Sequence, residues 1–482
     1  MSNGVMSEVM SAEALVPSKK LSARGWMRAN LFNRWYNALL TLILALVIAY
    51  LGFRSIRYLF WTAEWEPVRA NLTLFMIGSF PRDEQWRVVV QLLLLAAAFG
   101  VIWGSMIGAS RDRAAQSGSP FSAEPGWVAL RRWWGLVLLL GVLLLAAWGV
   151  LPLVLTFGCI ALIFLLRRIA MRLASKVRIY AWFGGYALLI ASWQIVSGTG
   201  GSAWFWAAGL LAFWGIRTVR KKDLTPRLPL TLVAIVGGGA VAWAIYTYIL
   251  NGLINFSGVG WDNWSGFHLN LIAATISIIA AFPLGLILAL GRRSSLPAIR
   301  WLCVTYIELI RGVPLIGLLF IANSLLGFFI DNDPFIDFFL DTPLSQISRA
   351  IVIMSLFTAA YLAEVIRGGL EATPRGQTEA GQSVGLSPWQ ITSRIVMPQT
   401  LRASIPAIVG QFISLLKDSS LLSIIAVSEI LRVRSSVHSQ GAFTTLGTAE
   451  TLVFIAFAFW AFAFTWSRES QRLEKHLGVG ER

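Results

Sequence analysis

The sequence predicts an all-α polytopic membrane protein, on three observations: 56% of its 482 residues are hydrophobic, only 13% are charged, and about twelve apolar stretches approach membrane-spanning length. Soluble domains carry about a quarter of their residues as charged side chains, so this chain lies outside their range. A span needs ~20 mostly apolar residues because hydrocarbon offers no partner to a backbone N–H or C=O. A helix satisfies those groups within one segment, so helices rather than a barrel are expected to carry the spans.

In chain order the expected spans are 37–58, 87–107, 133–150, 152–167, 179–197, 203–217, 228–250, 267–290, 300–322, 346–367, 404–426 and 449–467. The halves of 133–167 and 179–217 fall short of ~20 residues, so each pair reads either as two short spans or as a re-entrant hairpin. Ahead of the first span, Lys19, Lys20, Arg24, Arg28 and Arg34 lead into an apolar run without a small-residue cleavage site. That pattern is an uncleaved first span, not a removed signal peptide.

A net charge of +16 would suggest nucleic acid in a soluble protein. Here the placement of each cation relative to the spans matters more, and no nucleic-acid partner is expected. With the N-terminus cytoplasmic, thirty of the forty Lys and Arg fall on inside segments, and the C-terminus is cytoplasmic too. The connection 331–344 carries Asp331, Asp333, Asp337 and Asp341 with no Lys or Arg, as an outside loop should. Arg432 and Arg434, also placed outside, run against the rule.

Four parts follow. Residues 1–225 form a multi-span N-terminal extension of unknown role, with Trp133, Trp134 and Trp148 suited to interfacial anchoring. A basic linker from Arg217 to Arg227, with Pro226 and Pro229, leads into 226–264, an additional span and periplasmic connector. Residues 265–470 form a five-span core in which polar residues inside spans become frequent, and 471–482 is a cytoplasmic tail.

Catalytic chemistry is not indicated. The three histidines, His268, His438 and His476, are too scattered for a metal site, and His268 at the start of a span reads as an interface residue. Cys159 and Cys303 fall in separate spans and read as small buried apolar residues, without a disulfide or zinc framework. No lysine is followed by Ser or Thr after a glycine-rich turn, so no phosphate loop is present.

The connection 371–400 is the most legible segment. Thr373 before Pro374 is a good N-cap with proline at the first helical position, and Gly385 can close that helix in a left-handed cap. Ser387-Pro388-Trp389-Gln390 repeats the device as a capping box, and the next helix should stop before Pro398, which lacks a donor. Two short helices at an angle result. Ala380 and Gly381 are small enough to let a partner backbone approach, and Glu379 can hold the bend by accepting from nearby amides. On the residues alone an ordinary interhelical loop stays open as an alternative.

Three sets of charges fall within spans, where they are costly and usually functional. Glu308 and Arg311 lie three apart on one helical face, where they can pair with each other and either line a path or lock packing. Gly312 and Pro314 just beyond should break that helix. Tyr361, Glu364, Arg367 and Gly368 end the next span, where Arg367 suits snorkelling to the cytoplasmic boundary. Lys417, Asp418, Ser419 and Ser420 interrupt the fourth core span about thirteen residues after Ser404, ~20 Å along a helix and so near mid-membrane. They suit a path for a zwitterion, Asp418 facing an ammonium and Lys417 a carboxylate, or an ion pair that only neutralises itself. Ser414 and Ser423 are secondary candidates, and Glu429 reads as an outer gate or a surface contact.

These residues carry a resemblance. Glu379-Ala380-Gly381, three residues, Gly385, nine residues, Ile395 and then Pro398 is similar to the EAA loop of ABC-importer permeases, which docks in a groove of the ATPase. Gly381 stands where the family usually has Ala, and Met397 where it often has Leu. YIELIRGVPLIGLLF and AEVIRGGLEATPRGQTEAGQSVGLSPWQ resemble the polar amino-acid (histidine/glutamine) subfamily, and Lys417–Ser420 its K-D-[ST]-S-L segment. The extra N-terminal spans are similar to the long permease of general L-amino-acid importers of Gram-negative bacteria, with 250–470 carrying most of the likeness.

The resemblance implies a type I ABC importer transmembrane fold with an N-terminal helical extension, in the bacterial inner membrane. It implies a permease forming half of a translocation path for polar L-amino acids, and coupling through Glu379, Ala380, Gly381, Gly385, Ile395 and Pro398. The implied partners are a second, distinct permease in a heterodimer, two ATPase subunits and a periplasmic amino-acid-binding protein, within the lipid bilayer. ATP and Mg would be cofactors of the ATPase, none belonging to this chain. An ion-coupled secondary transporter is the main rival, and a membrane enzyme on lipid-linked substrates would need clustered outer acids, histidines and arginines that the sequence lacks.

Overall fold

Ser22 opens the first described helix by accepting the Gly25 amide on its hydroxyl, a serine N-cap of the ordinary kind. The structure, a computed structural model, describes residues 22–118, 120–121, 125–147, 150–197, 259–260, 263–326, 328 and 345–477. These are helical, with no strand among the described residues beyond an isolated parallel bridge between Gly266 and Glu429. Two units divide the chain, Met1–Glu64 and Trp65–Arg482. The first holds α1 (Ala23–Asn30) and α2 (Trp35–Arg57), which a π turn over Tyr58–Thr62 extends into a 28-residue apolar span.

The second unit begins with α3 (Glu66–Ala70), α4 (Leu72–Ile77), α5 (Gln85–Ser117), α6 (Gly126–Arg132), α7 (Trp134–Ala147), α8 (Val150–Arg172) and α9 (Ser175–Ser197). It continues with α10 (Gly266–Arg292), α11 (Pro297–Gly312), α12 (Leu315–Ile321), α13 (Gln346–Ala372), α14 (Gly376–Ser383), α15 (Pro388–Ile391), α16 (Met397–Asp418), α17 (Ile430–His438) and α18 (Thr448–Leu477). Small residues set the closest approaches, as expected where hydrocarbon gives no hydrophobic drive and packing must come from backbone proximity. A Cβ placed on Gly104 of α5 would lie 2.3 Å from the Arg167 carbonyl of α8, and one on Gly285 of α10 would lie 2.7 Å from Leu362 of α13.

Polar contacts tie the helices before the gap in the described residues to the core that follows. Ser79 donates its amide to Ser265 Oγ over 2.6 Å, and His268 of α10 meets Gln91 of α5 at 2.8 Å. His268 is therefore a helix-to-helix contact at the start of its span. Cys159 and Cys303 are half-buried free thiols, less enclosed than expected. Three apolar clusters form the core, around Trp264 and Met354, around Ile307 and Leu362, and around Phe75 and Ile455.

Among the described residues seven helices are long and apolar enough to cross a membrane, or nine if each of two bent pairs is one span. The expected spans 203–217 and 228–250, the linker 217–227 and the acidic connection 331–344 lie outside the described residues. Segment 179–197 does fold as a helix, α9, but its Trp, Tyr, Gly and Ser content makes it a weak span. The stretch expected at 300–322 bends by 104° between α11 and α12. Val313 there is extended (φ −106°, ψ 134°), as a residue before proline must be, so Gly312 and Pro314 break the helix where the sequence places the break.

Candidate functional site

The connection 371–400 is built as two short helices meeting at a glycine. Gly385 follows α14 with φ +75°, the left-handed conformation that admits glycine without penalty, and its amide donates to the Gln382 carbonyl. The Leu386 amide closes back on the Gly381 carbonyl. Ser387 and Gln390 then form the expected capping box at the start of α15.

Three details depart from expectation. Thr373 does not cap α14: it ends α13, donating its hydroxyl to the Gly369 carbonyl and lying 3.2 Å from Thr400 Oγ1, and α14 starts only at Gly376. Pro398 does not stop a helix, because the π turn Thr392–Val396 widens the backbone just before it, and the helix runs on through Pro398 as α16. The fourth core span thereby runs from Pro388 to Ile425, 38 residues, rather than 404–426. Gly381, finally, is buried and faces inward: a Cβ there would lie 2.8 Å from Ile391 Cγ1, so its smallness serves the packing of α14 on α15.

What the segment offers outward is Glu379, Ala380 and two large apolar side chains, Val384 at 73% and Trp389 at 70% exposure. Ile395 is half-buried and Pro398 exposed. Val384 and Trp389 were legible only as spacer residues. Their signal was an apolar pair flanking the turn glycine in a polar stretch.

The polar residues of the core separate into two groups at opposite ends of α10. One surrounds Asn270, which is fully buried. Its amide nitrogen donates to Ser419 Oγ and to Glu429 Oε2, each over 3.0 Å, while its carbonyl oxygen accepts the Ile430 amide. Glu429 is wholly buried, so it is not a surface contact; its other oxygen accepts the Arg432 amide and caps α17. It lies between two spans, and burial pushes its carboxyl up to about 7 despite hydrogen bonds from Leu431, Asn270 and Arg432 that favour the ionised form. Beside them Lys417 is exposed while Asp418 and Ser420 are half-buried. Because Ser419 meets the first turns of α10, these residues lie near the end where α10 begins, not halfway through the bundle.

The second group lies ~33 Å further along α10, at Arg292. Glu308 and Arg311 are not each other's partners here. Arg292 Nη1 is 3.2 Å from both Glu308 and Glu364, and Arg311 Nη1 is 3.5 Å from Glu364. Arg367 Nε donates to Glu364 Oε1 over 2.8 Å and also pairs with Glu371. Glu364 is the hub of three guanidinium groups. Neither Asn270 nor Arg292 was singled out from the sequence, although a lone Asn in the apolar run at 269–274 was the available signal.

Residues 281–475, from mid-α10 into α18, match the family described as binding-protein-dependent transport system inner membrane component. The chain is 38% identical to the probable glutamine ABC transporter permease protein GlnP of Bacillus subtilis, over 37% of this chain and 77% of that protein. It is 40% identical to the inner membrane amino-acid ABC transporter permease protein YhdY of Escherichia coli, over 50% of this chain and 64% of that protein. At 29% identity it aligns with the glutamate/glutamine/aspartate/asparagine transport system permease protein BztC of Rhodobacter capsulatus over 97% of this chain and 96% of that one. The chain belongs to the family of ABC-importer permeases, within its amino-acid branch. It is a multi-pass inner-membrane transport subunit and not itself a catalyst.

Proposed function

We infer that this chain is the permease subunit of an ATP-driven, binding-protein-dependent importer of polar L-amino acids, with the type I importer fold, and forms one half of the path. The observation that carries the reading is the bent α14–α15 segment, whose exposed Val384 and Trp389 give a separate ATPase something to grip. ATP and Mg act on that ATPase, of which two copies are required, and a second, distinct permease supplies the other half of the path. The relatives named for glutamine, and for glutamate, glutamine, aspartate and asparagine, support a polar amino acid as cargo.

Coupling runs from α15 through the continuous Pro388–Ile425 span to Lys417–Ser420, where Ser419 touches Asn270 and, through it, Glu429. Nucleotide closure that pulls the α14–α15 segments together moves this span as a lever. Switching such a pair of states from 1:99 to 99:1 takes ~5.5 kcal/mol of differential binding. Lys417 and Asp418 meet the carboxylate and ammonium of the cargo, while Glu308 and Arg311, at the other end of α10, belong to the cytoplasmic exit. The periplasmic binding protein delivers at the Glu429 end, and both termini are cytoplasmic.

The test is reconstitution with the partner subunits. ATPase activity stimulated several-fold by amino-acid-loaded binding protein supports the reading. Uptake driven by a proton or sodium gradient without nucleotide would instead establish a secondary transporter.

A further inference from the structure

Outside the path, a cavity of about 980 Å³ opens between α5, α8 and the last turns of α18. Its walls are aromatic: Trp103 and Trp133 have ring centroids 5.5 Å apart, and Phe99 lies 5.6 Å from Trp133. Arg132, Arg167 and Arg472 line it together with Glu469. Arg132 also lines a second, adjoining cavity of about 560 Å³, together with Arg131 and Arg468. Five guanidinium groups therefore surround the two cavities, against one carboxylate among the described lining residues.

That carboxylate is already committed. Glu469 Oε1 lies 2.6 Å from Arg132 Nε and accepts Trp133 Nε1–H over 2.7 Å, which orients the aromatic wall while leaving the cluster strongly cationic. Arg167 stacks over Trp103, 4.5 Å from its centroid, so that ring face is covered and no open slot remains there for a planar base. Along the rim, Phe99, Met106 and Leu473 are 43%, 53% and 41% exposed. A site that is cationic inside and apolar at its lip, on the flank of membrane-spanning helices, suits an amphiphile with an anionic head.

Its depth in the membrane follows from the helix directions. α18 starts beside α17, where Arg434 reaches Thr451, and α17 adjoins the beginning of α10. The last turns of α18 therefore lie at the opposite end, where α13 gives way to α14. Basic pockets between helices on the cytoplasmic side hold anionic headgroups. We propose that the Arg131/Arg132/Arg167/Arg468/Arg472 cluster binds the headgroup phosphate of an anionic phospholipid of the cytoplasmic leaflet, its acyl chains running past Phe99 and Met106, and so seals the N-terminal helices to α18.

The assembled transporter, stripped of lipid in detergent, is titrated with phosphatidylglycerol, with phosphatidylcholine of identical chains, and with glycerol 3-phosphate, while the thermal midpoint and the lipid retained on repurification are followed. Phosphatidylglycerol alone raises the midpoint and co-purifies, and Arg468→Gln with Arg472→Gln weakens its apparent affinity about thirtyfold, the loss of two interfacial cations. Equal effects of both lipids, or of glycerol 3-phosphate without chains, overturn the proposal, as does an unchanged affinity in the double variant. The wild-type lipid comparison needs no variant, so a folding defect in the variant leaves the test intact. Lipid retention is read without transport, so the outcome is independent of which cargo the permease carries.

Discussion

Gly381 of α14 and Ile391 of α15 are packed so closely that a Cβ on the glycine would stand 2.8 Å from Ile391 Cγ1 and 3.2 Å from Cδ1. The bend between the two helices is therefore held by an internal contact, and any partner meets a preformed shape. Gly381→Val should overpack this contact by ~1–3 kcal/mol and abolish uptake while the protein still reaches the membrane. Ile391→Ala in the same chain should restore part of the activity, because it vacates the space the new methyls need. A double-mutant cycle of transport rates tests it; purely additive losses would show that the two residues do not act through one contact.

Gly385 isolates a different effect. Nothing lies within 4 Å of a Cβ built there, yet its φ of +75° is the left-handed conformation. Gly385→Ala should therefore cost ~1–2 kcal/mol through backbone strain alone, and Gly385→Asn clearly less. Loss of coupled ATPase activity should follow the same order, Ala worse than Asn. Glu379→Lys, on the exposed face and without backbone strain, should abolish uptake by reversing a surface charge. Equal activity of the Ala and Asn variants would remove strain as the cause.

The coupling segment was readable because its signals are local. A serine, a proline and a glutamine at fixed spacing produce a capping box whatever surrounds them, and Ser387–Gln390 does so here. Pro314 broke its helix for the same reason. Pro398 misled because a preceding π turn absorbs it, and π turns leave no pattern in composition. Pairings misled more. Glu308 and Arg311 share a helix face, but Arg292 and Glu364 approach from α10 and α13, and only the three-dimensional crossing brings them there. Gly381 was correctly seen as small, but whether its bare face served Ile391 or a partner was a tertiary question.

Glu364 should matter more to stability than Glu308, although both are acidic residues at one end of the bundle. Glu364 meets Arg292, Arg311 and Arg367, with its side chain 24% exposed, whereas Glu308 meets Arg292 and is 57% exposed. Removing a partly enclosed hub leaves three cations facing one another, while exposed pairs contribute ~0–1 kcal/mol. Glu364→Gln should lower the thermal midpoint by several degrees, Glu308→Gln by a degree or less. Equal shifts would mean that the network is not centred on Glu364.

Glu429 gives the protein a pH-sensitive joint between α10 and α17. Its carboxyl is raised from 4.5 to about 7 by burial, so the folded state holds a proton there that the unfolded chain has released. The contribution is most favourable below pH 4.5, falls as pH rises, and is fully lost above about 7, a difference on the order of 3 kcal/mol. Glu429→Gln keeps the shape and an oxygen acceptor for the Arg432 amide but cannot ionise. The variant should therefore gain stability relative to wild type as pH climbs from 5 to 8, read as a growing difference between their thermal midpoints. Parallel midpoint curves over that range would show that Glu429 ionises freely in the folded protein and that Asn270, Leu431 and Arg432 already stabilise its charge.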